Sequence, residues 1–309
     1  MDIVWETRQP AQWEQLHFEQ AGALQQHLAF GTAMQALGTE CVRARVEQDG
    51  AVIGIAQFVV RRIAGVVGLA LCSRGPIWRD GISDEQRRLA CKLMAGSLPQ
   101  RRPRFVFYAP DTPPGMAPEA AGIPGFTRVI TGVTTVLIDL SQNDEEIRAG
   151  LHPKWRNRLV AAENSPLKFN RVGEKLAQYR WVLDREGVQR QQRSYRALPA
   201  EFVPAYQAAV GAGKPSVLTV RADLGKDAVA AMLFVIHGAA ATYHLGWSDA
   251  RGREHSAHNL CLWRALPLLR ELQVRQLDLG GVNTQRGASL ARFKLGAGGS
   301  VLLNPGTFL

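Results

Sequence analysis

Four arginines crowd one stretch of this chain, Arg185, Arg190, Arg193 and Arg196, with Tyr195 set among the last of them. A guanidinium is a planar fork that holds two phosphate oxygens in parallel hydrogen bonds, so the run points to a phosphate-bearing ligand. It reads equally as a charged surface where a helix gives way to a loop. Upstream, Lys154 and Arg158 stand four residues apart on one helical face, with Arg156 on another side. That face is either solvated or turned to phosphates. Toward the C-terminus, Gln276-Leu277-Asp278-Leu279 runs into Gly280-Gly281. Paired glycines let backbone N–H groups approach a ligand without Cβ crowding. Asp278 on this strand fits two roles, a general base for an attacking amine or a buried partner of an arginine. Asn283, Gln285 and Arg286 follow on a loop and are binding candidates.

Other chemistries find little support. Cys41, Cys72, Cys91 and Cys261 are isolated, which reads as four reduced, partly buried thiols with no disulfide frame and no zinc site. His255 and His258 lack a third ligand nearby, so no metal and no redox cofactor is expected. The first residues carry neither a basic n-region nor an apolar h-region, and the longest apolar runs fall short of the roughly 20 residues of a bilayer helix. A soluble cytoplasmic protein is expected. The 309 residues are 46% hydrophobic and 21% charged, as in a folded chain of one or two domains. The formal net charge of +10 favours phosphate-bearing partners such as RNA, nucleotide-linked substrates or coenzyme A.

The elements that must position these residues occur twice. In the first half, alternating apolar runs flank Gln48-Asp49-Gly50, a strong hairpin signal, and a third strand follows a Gly-containing turn. In the second half, Val217–Arg221, Ala228–Ile236 and Ala240–Gly246 repeat the plan. Each triplet leads into a helix and a further strand. The first helix starts at Ser83 as N-cap with acids behind it, and its strand is Arg104–Tyr108. The second carries Ala257, Leu260, Cys261, Ala265, Leu268, Leu269 and Leu272 on one face, with Pro267 expected to kink or break it. Gln276–Leu279 is its strand.

A strand meander, a helix and a strand form the core order of the GNAT acyltransferase fold. Two copies imply an α/β protein of tandem GNAT domains with mixed sheets. The boundary is expected near Ser141–Asp144, after the strand Thr134–Leu140 and before a helix capped by Ser or Asn. This assigns residues 1–143 to the first domain and 144–299 to the second, with residues 300–309 returning to the first. Pro110–Gly125 reads as a surface loop, too poor in apolar residues for the core.

Two segments, Leu151-His152-Pro153-Lys154-Trp155-Arg156-Asn157-Arg158-Leu159 and Gly280-Gly281-Val282-Asn283 through Ala291-Arg292-Phe293-Lys294-Leu295-Gly296, resemble the Fem-type (FemAB-like) aminoacyl transferases. Those enzymes move amino acids from aminoacyl-tRNA to a peptidoglycan precursor. The resemblance implies that Lys294 lies near the reacting ester, with Phe293 in the core or lining the pocket. It also implies that Arg193 with Tyr195, or else Arg196, contacts substrate phosphates. A cation beside the carbonyl oxygen of a tetrahedral intermediate lowers the barrier to acyl transfer. The family's lysine in the early first-domain helix has no counterpart in Phe30–Gly38.

The function these features imply is transfer of an activated acyl group from aminoacyl-tRNA to an amine acceptor, cell-wall or nucleotide-linked. Coenzyme A-dependent relatives bind pyrophosphate on a Gly-rich loop at a helix N-terminus. The matching stretches here are Ser73-Arg74-Gly75-Pro76 and Arg251-Gly252-Arg253-Glu254-His255-Ser256-Ala257-His258, neither a clean match. An acyl-CoA-dependent N-acyltransferase acting on a small amine or sugar is the alternative. A non-catalytic RNA- or nucleotide-binding GNAT scaffold is the third.

Overall fold

The computed structural model describes residues 1–5, 10–113, 115–193, 195, 197–285 and 287–309. The chain divides into two compact units. The first comprises Met1–Thr134, His237–Ala239 and Leu302–Leu309; the second comprises Thr135–Ile236 and Ala240–Val301.

The first unit runs β1 (Asp2–Trp5), α1 (Pro10–Glu19), a 3-10 turn, α2 (Leu28–Ala36), β2 (Glu40–Gln48), β3 (Ala51–Ile63), β4 (Val67–Ser73), β5 (Ile77–Trp78), α3 (Asp84–Ser97), β6 (Arg104–Ala109) and β7 (Arg128–Ile130). The hairpin between β2 and β3 turns on Asp49 and Gly50, both at positive φ (52° and 79°), as a primed two-residue turn requires. Helix α3 begins with a reciprocal capping box between Ser83 and Gln86, placing Ala90, Cys91 and Met94 inward. They meet Phe58 and Tyr108 of the sheet, whose rings pack edge to face at 5.7 Å, and Tyr108 Oη donates to Cys91 O at 2.7 Å. The loop expected over 110–125 contributes more than expected, since Ala121 and Ile123 are buried. Ile123 joins the cluster of Phe58 and Tyr108 although its segment is poor in apolar residues.

The second unit runs β8 (Thr134–Asp139), α4 (Asp144–Gly150), α5 (Pro153–Glu163), β9 (Leu167–Val172), α6 (Leu176–Arg193), α7 (Phe202–Val210), β10 (Val217–Leu224), β11 (Asp227–His237), β12 (Ala240–Ser248), α8 (Ala250–Glu254), α9 (Ala257–Glu271), β13 (Gln276–Gly281), α10 (Ala288–Leu295) and β14 (Ser300–Leu303). A last strand, β15 (Thr307–Phe308), pairs with β6 and β7 in the first sheet. The second sheet has the order β14-β8-β13-β12-β11-β10-β9. Strand β8 pairs with β13, and the chain from Thr135 to Ile236 belongs to the second unit. Buried Met232, Phe234, Cys261, Leu262, Ala265, Leu266 and Leu269 join β11 and α9 in one core. Helix α9 continues through Pro267, so of the kink or break expected there the break does not occur. Its apolar face, buried from Ala257 to Leu269, holds the helix together despite the missing N–H.

Both units thus carry the meander, helix and parallel strand of the GNAT core, and the parallel pair differs between them. In the first, β4 and β6 stay zipped in parallel register from Gly68↔Arg104 to Ser73↔Ala109, and Gly75 N then donates to Ala109 O at 3.3 Å. In the second, β12 and β13 pair only from Ala240↔Gln276 to Thr242↔Asp278, although β12 runs on to Ser248. Beyond Asp278 the chain bulges, with Gly280 at φ 75° and the β8 register shifting before Gly281. Parallel strands that part in this way leave a slot walled by backbone donors and acceptors.

A buried histidine sets the acid limit of the first unit. His17 is 1% exposed, with Nε2 3.1 Å from Ala23 O, and burial lowers its pKa to about 4 from 6.5. Burial also lowers His237 well below its ordinary value. The unfolded chain protonates first, so stability is whole above pH 6.5 and falls as pH drops toward 4. His17 alone is expected to cost roughly 3 kcal/mol at the acid end. Urea unfolding at stepped pH checks this; an unchanged midpoint across that window contradicts it.

Candidate functional site

The mouth of the β12–β13 slot is built around two buried charged side chains. Lys294 lies on α10, near the helix end, and is 7% exposed. Its inward aim follows from Gly296, whose added Cβ would meet Trp155 Cδ1 at 3.0 Å and Arg292 O at 3.1 Å. A glycine here lets the end of α10 sit close to α5, where His152 N also donates to Gly296 O at 3.1 Å. Phe293 packs between Trp155 (5.9 Å between ring centroids) and His258 (6.2 Å). Lys294 Nζ donates to Gly281 O at 2.8 Å. Burial lowers its pKa to about 8, against the opposing pull of Asp278. An ammonium has three N–H donors, and among the described residues Gly281 O engages one.

Asp278 is also 7% exposed. Its Oδ1 accepts from Thr135 Oγ at 2.5 Å and from Gly280 N at 2.6 Å. In the structure Asp278 is a buried acceptor close to Lys294, with Thr135 and Gly280 as the bonded partners described. Gly280 takes the positive φ that turns this backbone, and its Cα faces Lys294 Nζ. Gly281 supplies the carbonyl that Lys294 bonds.

The remaining sequence candidates are spread more widely. Lys154 and Arg158 lie exposed on α5, whose Trp155, Leu159 and Ala162 face inward as expected. Asn283 Oδ1 accepts from Gln285 N at 3.0 Å in the exposed loop after β13. Tyr195 Oη donates to the buried carboxylate of Glu186 at 2.7 Å. The side chain of Arg193, and Arg196 and Arg286 entirely, lie outside the described residues. Thr135, Trp155 and His258 belong to the site without having been singled out for it. A threonine on a strand and a lone histidine on a helix carry no signal until the pairing brings them to Asp278 and Phe293.

Residues 154–295 match the acetyltransferase (GNAT) domain family, which covers Lys154 through Lys294 and the whole slot. Among solved structures, FemX aligns over 100% of this chain and 96% of its own, with a TM-score of 0.80 at 12% identity. Residues 154–295 thus match a GNAT domain, and the whole chain shares the fold of FemX. A conserved protein of unknown function from Bacteroides thetaiotaomicron aligns over 99% of this chain and 98% of its own (TM-score 0.61, 10% identity). A tandem GNAT protein from the clavulanic acid biosynthesis pathway does so over 99% and 98% (TM-score 0.54, 13% identity). No curated protein matches the chain in sequence.

In the stretch matched above to the pyrophosphate loop of coenzyme A-dependent enzymes, one amide is engaged from within the chain. Asp249 caps the short helix α8, its Oδ1 accepting from Gly252 N at 2.8 Å, and Arg251 Nε lies 3.3 Å from its Oδ2. A resident carboxylate therefore occupies an amide that would otherwise face an anion. Gly252 serves packing: a Cβ there would stand 2.2 Å from Val229 O. Gly252→Ala is expected to lower the melting temperature by several degrees, because a backbone atom must move to admit the methyl group. Thermal unfolding followed by circular dichroism checks this, and an unchanged Tm contradicts the packing role. No helix among the described residues is long and apolar enough to cross a membrane.

Proposed function

We propose that this GNAT domain transfers an aminoacyl group from charged tRNA to an amine, with chemistry at the mouth of the β12–β13 slot. The observation that carries the reading is the buried Lys294 ammonium beside Asp278, at the point where the parallel strands part. In the reaction the amine nitrogen attacks the ester carbonyl of the aminoacyl group. The C–N bond forms as the carbonyl π electrons move onto oxygen. Collapse of the tetrahedral species breaks the C–O bond to the ribose, and the amine's surplus proton ends on the departing hydroxyl. Lys294, mostly protonated at neutral pH, offers its spare N–H donors to the oxyanion. Asp278, held by Thr135 and Gly280 N, favours the charged form of Lys294 and so keeps that cation in place.

Charged tRNA is preferred as donor over acyl-CoA on two grounds. Asp249 occupies the amide of the loop that would meet the pyrophosphate. The net charge of +10 suits a polyanion. The first unit, with β4 and β6 zipped to their ends, lacks the corresponding slot and is read as support or as acceptor-binding surface. The acceptor is an amine of the cell-wall precursor or nucleotide-linked type, by analogy of fold.

A binding titration tests the donor. Purified protein is titrated with acetyl-CoA and with a mixed charged-tRNA pool at low and physiological salt. Affinity for tRNA that weakens with salt, with none for acetyl-CoA, is expected. Tight acetyl-CoA binding without tRNA binding reverses the choice of donor.

A further inference from the structure

Helix α6 presents Trp181, Arg185 and Gln189 at intervals of four, one stripe along its length. That stripe lies over the end of β12. Trp181 and Trp247 stand edge to face, 6.0 Å between centroids at 86°, and Gln189 Nε2 donates to Gly246 O at 3.1 Å. The Arg185 guanidinium carbon sits 4.4 Å from the centre of the Trp247 ring and 5.7 Å from that of Trp181. The strand end beneath is itself fixed, because His258 Nε2 lies 3.0 Å from Trp247 O. His258 in turn packs on Phe293, the neighbour of Lys294.

The stacking orients Arg185 but does not neutralise it. The nearest carboxylates along the helix are engaged elsewhere: Asp184 by Arg180 at 3.3 Å, and Glu186 by Tyr195 at 2.7 Å. Among the described residues no carboxylate pairs with Arg185, which is exposed. An arginine whose guanidinium sits over an aromatic ring retains N–H donors for an anion. Packing has also removed much of the rotamer freedom that a surface arginine loses on binding, so the fork is preorganised.

We propose that Arg185, held by Trp181 and Trp247, binds the phosphate of a nucleotide, its N–H donors taking two oxygens in parallel hydrogen bonds. This rests on the reading of the second unit as the domain that handles a nucleotide-borne substrate. The phosphate belongs either to the single-stranded end of the RNA donor or to a free nucleotide-linked acceptor. A bidentate charge-assisted pair on one phosphate accounts for a factor on the order of ten or more in affinity.

The test uses the full chain, a fluorescein-labelled CCA RNA trinucleotide and UDP. Anisotropy follows the RNA across a salt series, with UDP as competitor. Arg185→Gln is expected to weaken RNA binding on the order of tenfold and to flatten the log K against log salt slope by about 0.7, one phosphate contact on a single strand. Arg185→Lys keeps a point charge without the fork and is expected to fall between. Arg185 is exposed, so the melting temperature of each variant is expected to match that of the parent. If UDP binds through Arg185 and the RNA does not, the site stands and belongs to a free nucleotide. If Arg185→Gln binds both probes with the parent's affinity and slope, the proposal is overturned. Transfer is measured on the same samples: Arg185-dependent binding without any transfer keeps the phosphate site and overturns only the donor reading above.

Discussion

Lys294→Met is expected to lower kcat for aminoacyl transfer by about 10²–10³, the usual cost of removing one donor aimed at a developing oxyanion. Methionine fills nearly the same volume, so the contacts around Phe293, Trp155 and Gly296 are retained. Burying an ammonium is itself costly, as its lowered pKa shows, and the apolar replacement is expected to leave the melting temperature unchanged or slightly raised. Loss of activity together with loss of fold would therefore contradict this assignment. The pH profile carries a second mark. A cation acting on an oxyanion must be protonated, so activity is expected to hold below pH 8 and decline as pH rises through the lysine's pKa of about 8. A lysine acting as a neutral base gives the opposite limb.

The second large effect is expected at Asp278, which opposes the lowering of the Lys294 pKa by burial. Asp278→Asn removes that charge while keeping an oxygen for Thr135 and Gly280 N. Burial then acts on Lys294 unopposed, and the alkaline limb is expected to move to lower pH. At pH 8 the variant is expected to lose activity on the order of tenfold for each unit the pKa falls, with less loss at pH 6. A uniform loss across pH would assign Asp278 to the general-base role that its strand position also allowed. Asp278→Ala, which strands the two donors, is expected to cost about 1–3 kcal/mol of stability in urea unfolding.

Much of the fold could be read from local signals because those signals act locally. Asp49-Gly50 is one of few dipeptides that place two residues in the left-handed region, so it announces a hairpin. Ser83, and a Ser or Asn before Asp144, announce helix starts, and the structure completes each as a capping box, Ser83 with Gln86 and Asn143 with Glu146. Pro267 does not break its helix, since a proline marks a lost hydrogen bond but not the core that compensates for it. Helix α6 was legible only as a basic run; its buried Tyr179, Val182, Leu183 and Glu186 stand among so many charged neighbours that the inward stripe is faint.

The site divided in the same way. Lys294 and Asp278 were legible from a motif and from a charged residue on an apolar strand. Their partnership was not, because it depends on where β12 and β13 stop pairing. That register is set by a bulge against β8 and by Gly280, features of three strands together. The zipped and parted strand pairs of the two copies look alike as sequence. Lys154 and Arg158, conspicuous as spacing, lie on the exposed side of α5.

The measurement that bears most directly on the central claim is transfer itself. Protein is mixed with a labelled aminoacyl-tRNA pool and an amine acceptor, beside a parallel reaction with labelled acetyl-CoA. Label passing from RNA to the amine, lost in Lys294→Met, is the expected result. Label passing only from acetyl-CoA, or passing equally well without Lys294, would contradict it.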